Sequence, residues 1–384
     1  MKRSTVIVFI FLVIGGVGGW LTWRNLSGGP PSAPEAAFST PVERVKGVVP
    51  SDADRAFHTL LTAPAGQITG GSVRSLKSRL ADRSHESAAT LERGLSSTSP
   101  VERLLAFRLL LETEGWSPRL REYALRDPFV LIRVEASDWL YLSSRFRERE
   151  EFFTALSANG ENAYQALVPS LQHRRWSGLP ASVEMLDIGR GIDRFLIDLF
   201  RASENAANAA AADLTSATLP FYQQAPLLEL LHASNRADHP LLLRALLNHA
   251  AEDNPARYTA IWLLGQDFAT SENRQLLSAH LGFYPNDPLR PRVQQAMASI
   301  DQELALGQNR FALFETRLAG SLAAENLDAW GPPFLALLNE ALRQQRTPEK
   351  AILEKAKQVL VTAPAKDYRA RQRLADIEFL LSKS

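Results

Sequence analysis

The sequence predicts an all-α chain in which one N-terminal transmembrane helix precedes an array of stacked helical hairpins. Three observations carry this. An uncharged apolar run occupies the N-terminus, prolines placed directly after helix-capping residues punctuate the remainder, and a short Pro, Arg, Ala pattern returns along it. Alternating β-branched runs bounded by tight Asn-Gly or Asp-Gly turns do not occur, which argues against β and α/β classes.

The apolar run extends from Ser4 to Trp23 without a charge. Twenty helical residues span about 30 Å, the thickness of a bilayer's hydrocarbon core. Lys2 and Arg3 precede the run, so the positive-inside rule places the N-terminus in the cytoplasm and everything after Arg24 outside it. Trp20 and Trp23 fall where an interfacial aromatic belt sits. Gly16-Val17-Gly18 offers a signal-peptidase alternative, but cleavage there leaves Trp20 to Trp23 on the mature end, and both outcomes export the remainder. Residues 1–24 are therefore read as an uncleaved anchor of a bacterial inner membrane, with the C-terminal part periplasmic. Gly15 and Gly19 are spaced as GxxxG, which packs two such helices closely and gives a homodimer through the anchor. The same glycines also fit a plain glycine-rich helix end.

Residues 25–50 carry Pro30, Pro31, Pro34, Pro41 and Pro50 among Gly, Ser and Ala, and read as a semi-extended tether. Residues 51–384 then read as helices. Ser99-Pro100, Ser117-Pro118, Asp127-Pro128, Asn254-Pro255, Asp287-Pro288 and Thr347-Pro348 each set an N-cap residue before a proline suited to the first helical turn. Ser99 and Glu102 fit a capping box. Gly94, Gly115, Gly160, Gly265 and Gly307 follow periodic segments where a C′ glycine ends a helix. Apolar spacing agrees at Ile132, Ala136, Trp139 and Leu140, at Leu243, Leu246, Leu247 and Ala250, and at Ala370, Leu374, Ile377 and Leu381.

Four helix starts share an order: Pro100, Arg103, Ala106; Pro128, Arg133, Ala136; Pro255, Arg257, Ala260; and Pro288, Arg292, Ala296. Their spacing is roughly 30 residues or a multiple of it, the length of a helical hairpin. A lone hairpin cannot bury both apolar faces, so neighbours stack, and the small Ala lets paired helices approach. At about 32 to 40 residues each, the exported part holds roughly eight to ten hairpins. These segments, above all Asp127-Pro128 to Ala136 and Asp287-Pro288 to Ala296, resemble the second helix of HEAT-like repeats. That resemblance implies an α-solenoid and a binding scaffold, and names no ligand. Between about 160 and 225 the pattern fades, which marks a divergent or inserted segment: Arg174 to Pro180 reads as a long loop and Asn205 to Ala212 as an Ala-rich helix.

Motifs for chemistry are scarce. Cysteine is absent, which removes disulfides, thiol nucleophiles and cysteine-ligated metals. The seven histidines include neither HExxH nor a helical i, i+4 pair, so no metal is expected. No GxSxG occurs, and Gly70-Gly71-Ser72 lacks the Lys-Ser/Thr of a phosphate loop, so no cofactor is expected. Acidic pairs such as Asp52 with Asp54 and Asp193 with Asp198 read as solvated helix faces. A net charge of +1 offers no footprint for nucleic acid. Arg174, Arg175 and Trp176 join two guanidiniums to an indole on a predicted loop, a combination enriched at protein interfaces. The expectation is a membrane-anchored, non-enzymatic scaffold or assembly factor that binds another protein, with those three residues as contact candidates. The alternative is an envelope hydrolase of cell-wall or glycan substrates, with a carboxylate site on the concave face.

Overall fold

The computed structural model describes residues 50–62, 70–80, 85–171, 188–215, 219–234, 255–267, 271–306, 315, 341, 347–362 and 368–383. The chain divides into two compact units, Met1–Val48 and Val49–Ser384, and the described residues belong to the second. Every regular element among them is helical. In chain order the helices are α1 (Asp52–Thr62), α2 (Gly70–Leu80), α3 (His85–Leu95), α4 (Pro100–Thr113), α5 (Pro118–Arg126) and α6 (Val130–Leu142). Then come α7 (Phe146–Leu156), α8 (Gly160–Leu167), α9 (Ile188–Ala202), α10 (Glu204–Thr215) and α11 (Phe221–Ala233). The last are α12 (Pro255–Asp267), α13 (Ser271–Phe283), α14 (Arg290–Leu306), α15 (Lys350–Thr362) and α16 (Tyr368–Lys383). None of these helices is long and apolar enough to cross a membrane. Ser4–Trp23, with Gly15 and Gly19, lies outside the described residues.

Helices α4, α6, α9, α11, α12 and α14 each pack on the next and make one row. Onto this row pack α3, α5, α7, α8, α10 and α13, each touching one or more of its members. Among the described residues after 160, α9 bridges α6 and α11, and Asn205 to Ala212 is helical within α10. One apolar core runs between the rows from Ala53 to Ile300, with Leu104, Phe107, Ile132, Phe152, Phe195 and Leu227 fully enclosed. The last two helices do not extend the row: α15 and α16 pair with each other, and α16 returns to lie on α6.

The capping signals divide into two kinds. Ser99 and Ser117 are N-caps, their hydroxyls accepting from the backbone N–H of Glu102 and Leu120 at 3.4 and 3.3 Å, with Pro100 and Pro118 in the first turn. The Ser99–Glu102 box is closed through an intermediary: Glu102 accepts from the Ser97 hydroxyl at 2.5 Å, which itself accepts from the Ser99 N–H at 3.1 Å. The Asp-Pro pairs are not N-caps. Helices α6 and α14 begin only at Val130 and Arg290, and each aspartate instead accepts the N–H two residues on, Phe129 at 2.8 Å and Leu289 at 2.9 Å. That turn leaves the carboxylate facing the preceding hairpin, where it meets an arginine: Arg103 on Asp127 at 2.7 and 3.1 Å, and Arg257 on Asp287. Arg133 closes the first turn from the other side, donating to the Asp127 carbonyl at 2.9 Å. Arg103 with Asp127 and Arg257 with Asp287 are thus partners across a hairpin junction.

Of the glycines expected at C′ positions, Gly115 is one, with φ +78°. Gly94 and Gly265 lie inside α3 and α12 and Gly160 opens α8; Gly307 lies outside the described residues. Gly94 and Gly265 serve close helix contact: a Cβ on Gly94 would stand 2.7 Å from the Ala106 Cβ, and one on Gly265 would stand 2.6 Å from the Ala296 Cβ. Ala106 and Ala296 of the repeated pattern therefore each meet a glycine of the neighbouring helix, which lets the two backbones approach closely. A Cβ on Gly160 would likewise collide with Ser203.

Candidate functional site

Helix α6 is enclosed on most sides, with Val130, Leu131, Ile132, Val134, Ala136 and Leu140 buried. A helix so surrounded cannot turn its polar residues to water, so they must find partners inside. Glu135, Asp138 and Tyr141 recur every three residues along it, and each is met by a charge from a different neighbour.

At one end, Lys77 of α2 pairs with Glu112 of α4 at 2.5 Å, and Arg108 of α4 lies 3.6 Å from Glu112 and 3.3 Å from Glu135. In the middle, Arg194 of α9 bonds Asp138 at 2.7 Å and lies with its guanidinium 4.0 Å from the centre of the Tyr141 ring. Arg149 of α7 also lies over that ring at 5.0 Å and over Phe153 at 5.2 Å. Arg149 donates to the Ser137 carbonyl at 3.1 Å and pairs with Asp198 of α9, which Arg201 contacts at 3.1 Å. At the far end the Tyr141 hydroxyl donates to Asp376 of α16, and the Ser144 hydroxyl to Glu378. Tyr141, Phe146 and Phe379 complete the joint as three rings with centroids 5.3 to 6.0 Å apart.

Burial sets the protonation of this row. It pushes Glu135 up to about 7, Arg108 and Lys77 opposing and Asp138 and Glu112 reinforcing the shift. It also raises Asp376, against the pull of Arg194 and the Tyr141 hydrogen bond, and raises Tyr141, which the Asp376 charge reinforces. Desolvation lowers Lys77 despite Glu112 beside it. A carboxyl held near 7 beside two others and two arginines has the composition of an acid–base site. It is closed rather than open, because Glu135 and Asp138 retain only 7% and 13% side-chain exposure under their neighbours. A groove of about 540 Å³ lies instead on α5 and α7, between Arg121, Arg147, Glu150, Glu151, Thr154 and Ala155.

A second buried cluster joins α12 to α13 and α14. His280 meets the same Asp287 oxygen as Arg257, at 2.7 Å, and stacks near Tyr284. Burial would raise Asp287, but the Leu289 N–H, His280 and Arg257 together hold it below the usual carboxylate range. Among the described residues no three His, Asp or Glu side chains are grouped to hold a metal.

Arg174, Arg175 and Trp176 lie outside the described residues. The members of the α6 row are scattered from Lys77 to Glu378 and share no sequence motif. Asp198, expected on a solvated face, is paired with a buried arginine, and Asp54 receives the Thr90 hydroxyl at 2.7 Å and pairs with Arg93. One local signal was available: Glu135, Asp138 and Tyr141 sit at three-residue spacing inside an otherwise apolar helix. No protein-family model, curated protein or solved structure matches the chain.

Proposed function

We propose that the chain is a membrane-anchored scaffold whose helical part, residues 51–384, is a HEAT-like α-solenoid that binds another protein outside the cytoplasm. Residues 1–24 anchor it in a bacterial inner membrane and 25–50 tether the array. The observation that carries the reading is the repeated hairpin junction, Arg103 on Asp127 and Arg257 on Asp287, in helices stacked as two rows. Solenoids bind along their outer helix faces, and we assign the partner to the row of α5 and α7, where Arg119, Glu122, Arg147 and Glu151 are exposed.

Photo-crosslinking residues placed along α5 and α7 and at positions 174–176 test this in the native envelope. The expected outcome is one recurrent protein adduct; no adduct at any position under any growth condition removes the reading. A periplasm-active reporter fused after Ser384 is expected to be active, and a cytoplasm-active one silent.

A further inference from the structure

The two hairpin junctions are built alike but close differently. In the first, Arg103 of α4 meets both oxygens of Asp127, through Nε at 2.7 Å and Nη2 at 3.1 Å. Tyr123 of α5 stands beside that pair, its hydroxyl donating to the Leu95 carbonyl at 2.8 Å. In the second, Arg257 of α12 takes the part of Arg103, and His280 of α13 takes the part of Tyr123. Arg257 reaches Asp287 through Nη2, while its Nε is buried without a hydrogen-bond partner. The oxygen it meets, Oδ2, is shared with His280 Nε2 at 2.7 Å, and the other accepts from the Leu289 N–H at 2.9 Å.

The side chains of Arg257, His280 and Asp287 are only 5%, 4% and 3% exposed, so water cannot compensate a charge added among them. An ionised carboxylate only accepts, so Nε2 carries a proton in both charge states of the ring, and the ring gains its charge at Nδ1. Arg257 Nη2 lies 3.5 Å from that Nε2, one donor facing another. With a neutral ring the cluster holds one cation and one anion; a proton on Nδ1 sets two cations on a single oxygen. Protonation turns the imidazole's hydrogen bond into an ion pair, whereas Arg257 gains nothing and then faces a like charge. The groups that face His280 among the described residues are Arg257 from α12, Asp287 from the turn before α14, and Tyr284 on α13 itself, whose ring centre lies 5.1 Å away. Imidazole changes charge between about pH 5 and 8, and a phenol does not.

We propose that His280 is a proton-operated latch at the α12–α14 junction: on protonation it takes Asp287 from Arg257, and the start of α12 comes free of the turn that leads into α14. The junction of α4 with α6, where Tyr123 stands in the corresponding place, stays closed over the same pH range. The latch rests on this cluster alone and not on the scaffold reading.

Hydrogen exchange on the full chain in detergent, read as protection factors so that the intrinsic pH dependence of exchange cancels, tests the latch between about pH 7.5 and about pH 5.5. Residues 255–267 are expected to lose at least ten-fold in protection at the lower pH, while residues 100–113 change by less than about two-fold. In His280→Gln, and in His280→Tyr, which copies the first junction, the loss is expected to vanish while native protection is kept at the higher pH. Unchanged protection of 255–267 in the native chain overturns the proposal, as does an equal loss in residues 100–113 or in a folded variant. Failure of both variants to fold at the higher pH also overturns it, since a latch that opens in acid must be dispensable for folding. The imidazole Cε1–H resonance of His280, identified by its absence from the His280→Gln spectrum, gives a second readout. Its titration midpoint is expected to coincide with that of the exchange change, and midpoints more than about one pH unit apart overturn the proposal.

Discussion

Glu135 shows how a single buried side chain couples this fold to pH. Its carboxyl is held up to about 7 in the folded chain against a reference of 4.5, so between those values the folded state holds a proton that the unfolded state has released. Stability from this group is therefore full below about pH 4.5 and is lost as pH rises through about 7. Glu135→Gln, neutral throughout, should flatten that slope and stabilise the chain at pH 8 relative to the native protein, by about 2 kcal/mol. Urea unfolding at pH 5 and pH 8 measures both. Arg103 shows the converse. Asp127 is buried and its carboxyl is held low by Arg103 and the Phe129 N–H against the upward push of burial. Arg103→Ala strands that carboxylate, with an expected loss of roughly 3 kcal/mol in urea unfolding at neutral pH.

Between helices, the close contacts of α3 with α4 and of α12 with α14 rest on one hydrogen atom in place of a methyl group. Gly265→Ala adds helix propensity but drives a Cβ to 2.6 Å from the Ala296 Cβ and 2.7 Å from its Cα, and backbone cannot step aside cheaply. The expected net change is a loss of about 1–3 kcal/mol. Gly282 on α13 is the internal control, since a Cβ there meets nothing within 4 Å. Gly282→Ala should gain a few tenths to about 1 kcal/mol from propensity alone. Thermal melts of the two variants should move in opposite directions. A common sign would mean that close approach does not govern the α12–α14 contact.

For the molecule as a whole, the helical class was legible because its signals are local. Capping serines before prolines, Arg followed by Ala soon after each proline, and apolar spacing at Ile132, Ala136 and Leu140 act within one or two turns; α4 and α5 begin at their capped prolines, and α6 spans its periodic residues. Asp127, Asp287, Gly94 and Gly265 carry cap-like sequence signals but serve junctions, because one residue type fits both and the choice depends on the neighbouring hairpin. The amino-acid order by itself determined the helices, the uncharged run at Ser4 to Trp23 and the absence of cysteine chemistry. Tertiary structure alone decided that α16 returns to α6, and that Glu135, Asp138, Arg194, Tyr141 and Asp376 form one row. Burial and pairing of charges depend on which helix covers which, and for residues as far apart as Tyr141 and Asp376 no local pattern carries that information.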